Sequence, residues 1–208
     1  PVGHLDKSDA SFNEYSRVTR KEVFLSDTLN VGDSWDFIIG ARYGSLEDDY
    51  GDYKESEITP SFAAIYRPLE WMSIYASYVE AFEQGATAPN TAANAGEVFE
   101  PLISKQYETG IKVEHDNWSA NMAVFQLQKG LTYEDENDVF SQDGEARYEG
   151  LELSTRAKIN EQWLVGASAM WLDATNRKTT DESLEGEPIQ GVADKQFRLY
   201  SEYQVPNT

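Results

Sequence analysis

Carboxylates are the residues with the most chemical potential in this chain: 37 Asp and Glu stand against 17 Lys and Arg, two His and no Cys. They bunch twice, as Glu47, Asp48, Asp49 and Asp52 and again as Glu134, Asp135, Glu136 and Asp138. Clustered carboxylates can hold calcium, which takes about six to eight oxygens, but neither run has EF-hand spacing. A solvated surface loop is the default reading, and no metal site is expected. Paired carboxylates also serve glycosidases, yet in so acidic a chain their abundance carries no weight. His4 and His115 fall in a terminus and a turn. With no G-x-S-x-G elbow and no phosphate-binding glycine loop, neither catalysis nor a cofactor is expected.

The formal charge of −20 repels polyanions, so nucleic acid is excluded as a partner. The lack of Cys suits passage through an oxidising periplasm. No apolar run reaches the roughly 18 residues of a membrane-spanning helix, but a transmembrane strand needs only about ten residues with one apolar face. Pro1-Val2-Gly3-His4 lacks the basic and apolar regions of a secretory signal. Any such signal is expected to be removed or to lie outside these residues.

The elements that would position these groups are strands. Twelve Tyr, nine Phe and five Trp against three Met favour β-structure. Period-2 alternation is cleanest over 150–159, where Leu151, Leu153, Thr155, Ala157 and Ile159 oppose Glu152, Ser154, Arg156 and Lys158. It recurs over 106–114 and 195–205, and more weakly over 21–31, 35–43, 57–67, 71–81, 118–129 and 163–174. The total is about nine strands of roughly ten residues, longer than the 5–6 usual in globular sheets and long enough to cross a bilayer at a tilt.

Candidate tight turns at 32–34, 68–70, 115–117 and 160–162 alternate with long connections at 44–56, 82–104, 130–146 and 175–194. Outer-membrane barrels have short periplasmic turns and long extracellular loops, so this alternation assigns a side to each connection. Trp35, Trp71, Trp118 and Trp163 each follow a short turn. Indole favours a site with one apolar and one wet edge, which makes them a periplasmic aromatic girdle; the alternative is Trp packed at hairpin bases in a soluble sandwich.

Several phrases then resemble barrel strands of TonB-dependent siderophore receptors. They are Trp35-Asp36-Phe37-Ile38-Ile39-Gly40-Ala41-Arg42-Tyr43, Thr59-Pro60-Ser61-Phe62, and Ile74-Tyr75-Ala76-Ser77-Tyr78 with Phe82 and Gly85. Gly96 and Pro101 leading to Ser104, Gln106, Glu108, Gly110 and Lys112 resemble that family's glycine, proline, S-x-Q-x-E-x-G-x-K strand, and Arg147 with Gly150-Leu151-Glu152 its R-x-x-G-x-E strand. The resemblance covers about residues 21–205. It implies an N-terminal plug inside a barrel of about 22 strands, in the outer membrane of a Gram-negative bacterium, taking up ferric siderophores with energy relayed through the TonB complex. Its partners would be the ferric siderophore as transported ligand, TonB acting through the missing N-terminal part, and outer-membrane lipid. No TonB-box-like segment, plug or aromatic-ended terminal strand is found. The expectation is therefore an all-β, up-and-down transmembrane barrel segment, with residues 1–208 a partial barrel domain from its middle to late portion.

On that reading the polar strand face, with Arg42, Glu108, Lys112, Glu152, Arg156, Lys158, Arg198 and Glu202, faces the lumen and plug; in a soluble sandwich it would be solvated surface. Cross-strand ion pairing is its expected role. Tyr50, Tyr53, Phe82, Phe99, Tyr133 and Phe140 lie toward the outer ends and can line a vestibule that contacts an aromatic iron chelate; the alternative is an outer girdle or loop packing. A passive porin and a secreted all-β binding module are the competing functions.

Overall fold

A computed structural model describes residues 17–48, 53–179 and 182–205. Nine strands, β1 Val18–Val31, β2 Trp35–Asp48, β3 Tyr53–Leu69, β4 Met72–Glu83, β5 Leu102–Glu114, β6 Trp118–Glu134, β7 Phe140–Lys158, β8 Trp163–Lys178 and β9 Lys195–Tyr203, form one sheet in chain order. Every neighbouring pair is antiparallel. The described residues contain no α-helix; a 3-10 turn spans Glu182–Leu184.

All nine expected strands are present, but the outer connections are shorter than expected. The β2–β3 ladder runs to Asp48 opposite Tyr53 and the β6–β7 ladder to Glu134 opposite Phe140. In the second hairpin only residues 135–139 remain as a tip; residues 49–52 of the first lie outside the described residues. Longer connections without a continuous ladder run at 84–101 and between β8 and β9. In the outer parts of the two hairpins neither face meets a continuous apolar band, the period-2 signal fades, and backbone pairing continues without it. Val205 falls beyond β9.

Of the four turns, 32–34, 115–117 and 160–162 lie as expected. The other turn is Glu70–Trp71, because β3 continues to Leu69 through a register irregularity after Tyr66; Trp71 sits in the turn itself. Gly32 has φ 62°, a conformation that favours glycine. The Asn160 carboxylamide oxygen accepts the amides of Gln162 and Trp163, both at 2.9 Å. That Asx turn sets Trp163 at the start of β8.

Directly opposed residues share a face, so the register sorts the whole sheet. One face carries an apolar band, which on β8 runs from Trp163 to Trp171, about 27 Å along the strand at 3.4 Å per residue. Aromatic pairs border it. On the turn side Trp35 stacks on Tyr66 at 4.6 Å, His115 lies between Trp71 and Trp118 at 5.0 and 5.2 Å, and Trp163 meets Tyr203 at 5.8 Å. On the other side Tyr78 packs against Phe62 at 6.4 Å and Tyr107 at 4.9 Å. Beyond that line the same face turns polar, with Glu80 opposite Lys105 and Gln126 opposite Glu149.

The opposite face is polar and repeatedly thinned by glycine. Tyr75 lies opposite Gly110, Phe125 opposite Gly150 and Tyr200 opposite Gly166. In each pair the ring occupies the space that a Cβ would take, so the aromatic covers glycine backbone instead of standing out from the wall. β1 and β9 each pair on one side only among the described residues, and Leu25 and Phe197 are 79% and 71% exposed. Among the described residues the sheet is a nine-stranded wall with β1 and β9 at its margins.

Candidate functional site

All eight charged residues expected on the polar face share one face of the sheet, as the register through all eight ladders requires. Four of them, Glu108, Lys112, Glu152 and Arg198, line one cavity of about 410 Å³ with Tyr75 and Met170. The Tyr75 hydroxyl donates to Glu108 Oε1 at 2.5 Å, Gln106 Nε2 donates to Glu108 Oε2 at 3.2 Å, and Lys112 Nζ lies 4.9 Å from the Tyr75 ring centre. The other four stand apart. Arg42 pairs with Glu22 at 3.6 Å, Arg156 reaches Glu114 at 3.8 Å and Ser119 at 3.1 Å, and Lys158 and Glu202 lie toward the turn end of the wall.

At the opposite end the connection 84–101 folds over the sheet. Its stems run antiparallel: Thr87 bridges Val98, the Ala88 amide donates to the Glu97 carbonyl at 2.8 Å and the Phe99 amide to the Ala86 carbonyl at 2.9 Å. Where they meet, Gly85 has no room for a side chain against the Phe99 and Glu100 carbonyls. β3–β4 pairing stops at Ser61 opposite Val79 while β2–β3 continues outward. The end of β4 is therefore not held in the β3 ladder, and Phe82 packs with Leu46 and Tyr53, flanked by Ile103. Leu46 and Tyr53 belong to the polar face by register, so the segment folds over that face.

The six outer aromatics thus divide. Tyr53 and Phe82 are 1% and 5% exposed: their rings form the small core beneath the segment, the Tyr53 hydroxyl accepts the Gly85 amide at 2.9 Å, and Arg20 donates to the Phe82 carbonyl at 3.1 Å. Phe99 and Phe140 are half-buried and meet edge-on at 5.6 Å. Tyr133 donates to Asp143 Oδ1 at 2.6 Å. Tyr50 lies outside the described residues. Four of the five described aromatics sit in strands, and Phe99 alone lies in a connection.

Two residues missed by sequence reasoning hold the far side of the segment. Asn94 donates through Nδ2 to the Phe140 carbonyl at 2.8 Å and accepts the Phe140 amide at 2.8 Å, while the Ala93 amide donates to the Asp138 carbonyl at 2.7 Å. Gln142 accepts the Ala86 amide at 2.7 Å and donates to the Glu100 carbonyl at 2.5 Å, so one amide grips both stems. An Asn and a Gln amid polar sequence carry no periodic signal that would single them out.

Electrostatics at this end are local. Amides of Val139 and Asn137 donating to Asp135 hold its carboxyl below the usual range, and Lys178 with Tyr133 does the same for Asp143. Among the described residues no group of three or more His, Cys, Asp or Glu is placed to hold a metal ion.

A family model for the TonB dependent receptor-like β-barrel matches residues 3–208. The ferrichrome receptor FcuA of Yersinia enterocolitica is 28% identical over 92% of this chain and 27% of its own length; the ferrioxamine B receptor of Salmonella typhimurium is 25% identical over 81% and 25%. Among solved structures, the ferric preacinetobactin receptor BauA of Acinetobacter baumannii superposes with a TM-score of 0.79 at 28% identity, over 90% of this chain and 30% of BauA. The siderophore receptor PiuA of the same organism superposes at 0.77 and 19% identity, over 92% and 32%, and supports the fold. The chain spans about a quarter to a third of the length of these proteins. The family comprises outer-membrane β-barrel transporters and receptors of Gram-negative bacteria, not enzymes. The chain belongs to the TonB-dependent receptor-like β-barrel family.

Proposed function

We propose that these residues, a partial barrel domain, form a wall segment and part of the outer mouth of a receptor that takes up ferric siderophores across the outer membrane. The observation that carries the reading is a two-faced wall whose outer end is covered by a segment folded onto the polar face. An apolar, aromatic-bordered outer face suits lipid, and the polar inner face suits a lumen occupied by an N-terminal plug that TonB would act upon. The names of the relatives, ferrichrome and ferrioxamine B receptors, supply the class of cargo. The ferric siderophore is substrate, not resident cofactor.

Arg42, Glu108, Lys112, Glu152, Arg156, Lys158, Arg198 and Glu202 would then face the lumen. Phe99, Tyr133 and Phe140 keep partial exposure at the mouth and suit contact with a ferric chelate; Tyr50, outside the described residues, joins them on its sequence position in an outer connection alone. Tyr53 and Phe82 support the covering segment. The test is uptake of radioiron-labelled siderophores, ferric hydroxamates first, by iron-starved cells with and without the gene. Loss of uptake of one chelate, restored by the gene, is expected. Undiminished uptake of every chelate tried overturns the proposal and leaves a passive porin.

A further inference from the structure

We infer that the segment 84–101 is a strap with unlike ends: an anchor at Tyr53–Phe82 and a latch made by Asn94 and Gln142 on β7, so that it opens by swinging away from β7. The inference deepens the uptake reading, since it names how access to the polar face is controlled, and it rests on that reading only for its purpose.

The asymmetry is physical. On the anchor side the contacts are buried rings: Phe82 against Leu46 and Tyr53, with Ile103 beside them and the Tyr53–Gly85 bond enclosed. Parting them exposes apolar surface and strands a buried amide, both costly. Latch contacts are polar, and each partner finds water when released. Gln142 bonds Glu100 at an exposed site, Asn94 and Phe140 are half-buried, and Ala93 and Asp138 are exposed. The strap also moves as one piece, because the Thr87–Val98 bridge, the Phe99–Ala86 bond and the tight approach at Gly85 tie its stems to each other.

A swing about the anchor therefore breaks five hydrogen bonds: two at Asn94, two at Gln142 and the Ala93–Asp138 bond. It also parts the Phe99–Phe140 contact and leaves the core intact. The geometry makes the aromatic pair at the mouth a sensor of the strap's position.

The test is amide hydrogen exchange on the intact protein that carries this chain, in detergent micelles, comparing wild type with Asn94→Ala/Gln142→Ala. The peptides holding Ala86, Ala93 and Phe140 are expected to exchange at least about tenfold faster in the variant, while Gly85 and the Tyr53 peptide keep their protection. Equal deprotection at Gly85 would overturn the hinge, and unchanged exchange at Ala93 and Phe140 would overturn the latch. Tyr53→Phe is the converse variant: it is expected to deprotect Gly85 and leave Phe140 unchanged. Siderophore uptake is measured separately in cells. Failure of wild-type uptake removes the transport reading and leaves the exchange pattern standing.

Discussion

Phe125 of β6 lies directly opposite Gly150 of β7, and its ring Cζ sits 2.5 Å from the point where a Cβ on Gly150 would stand. Tyr75 and Gly110 repeat the relationship, as do Tyr200 and Gly166. What differs is the backbone behind the ring. At Gly110 the Met122 carbonyl lies 2.5 Å from the same point, at Gly150 the Trp171 carbonyl lies at 3.0 Å, and at Gly166 the three nearest atoms all belong to the Tyr200 side chain. Alanine at Gly110 should therefore cost most and at Gly166 least, within the roughly 1–3 kcal/mol of overpacking. Urea unfolding of the three variants in lipid vesicles checks the order. A costlier Gly166→Ala than Gly110→Ala would mean that ring displacement, not backbone collision, sets the penalty.

The aromatic borders predict depths. Trp35, Trp71, Trp118 and Trp163 lie at the turn end of the apolar band, and Trp171 lies near its other edge, opposite Lys195. In single-Trp variants, quenching by lipids brominated at graded depths should place the four at one interface and Trp171 nearer the opposite one. A Trp171 depth equal to that of Trp163 would contradict a band that spans the bilayer.

The hairpin tip 135–139 carries a pH dependence. Asp135 Oδ1 accepts the Val139 and Asn137 amides at 2.9 and 2.8 Å, which lowers its pKa. A depressed carboxyl pKa means stabilisation that is present above the ordinary value of about 3.9 and is lost as pH falls through the lowered one. Amides of Asn137 and Val139 should lose protection below about pH 4, whereas Asp135→Asn, which keeps an acceptor oxygen, should remove that dependence. Protection that falls with acid equally in Asp135→Asn would assign the effect to another group.

How much of this was legible follows from where an apolar phase touches the chain. Leu151 and Leu153 alternate with Glu152 and Ser154 because lipid and lumen impose opposite demands on neighbouring residues, so the strands and their faces are readable. Leu46 and Tyr53 sit beyond the band, where Glu47, Asp48 and Glu55 surround them, and nothing periodic marks them as paired or buried. Their burial depends on Phe82 arriving from β4 and on a β3–β4 ladder that ends at Ser61. Asn94 meeting Phe140 across 46 positions is tertiary in the same sense. An amide that copies a strand partner has no signature until the strand is beside it.

The outer aromatics then separate support from contact. Phe82→Ala removes a ring 5% exposed and should cost about 3–5 kcal/mol, the usual penalty for emptying a core position. Tyr53→Phe keeps the ring but leaves the Gly85 amide without its acceptor, for about 1–3 kcal/mol. Phe99→Ala loses chiefly an edge-on contact with Phe140, about 0.5–1.5 kcal/mol. Binding of the transported chelate should follow a different order once stability is matched by temperature: weakened in Phe99→Ala and near wild type in Tyr53→Phe. Thermal unfolding and equilibrium binding on the same three proteins decide it. If Tyr53→Phe loses affinity while remaining folded, its hydroxyl touches cargo and the division drawn at Gly85 is wrong.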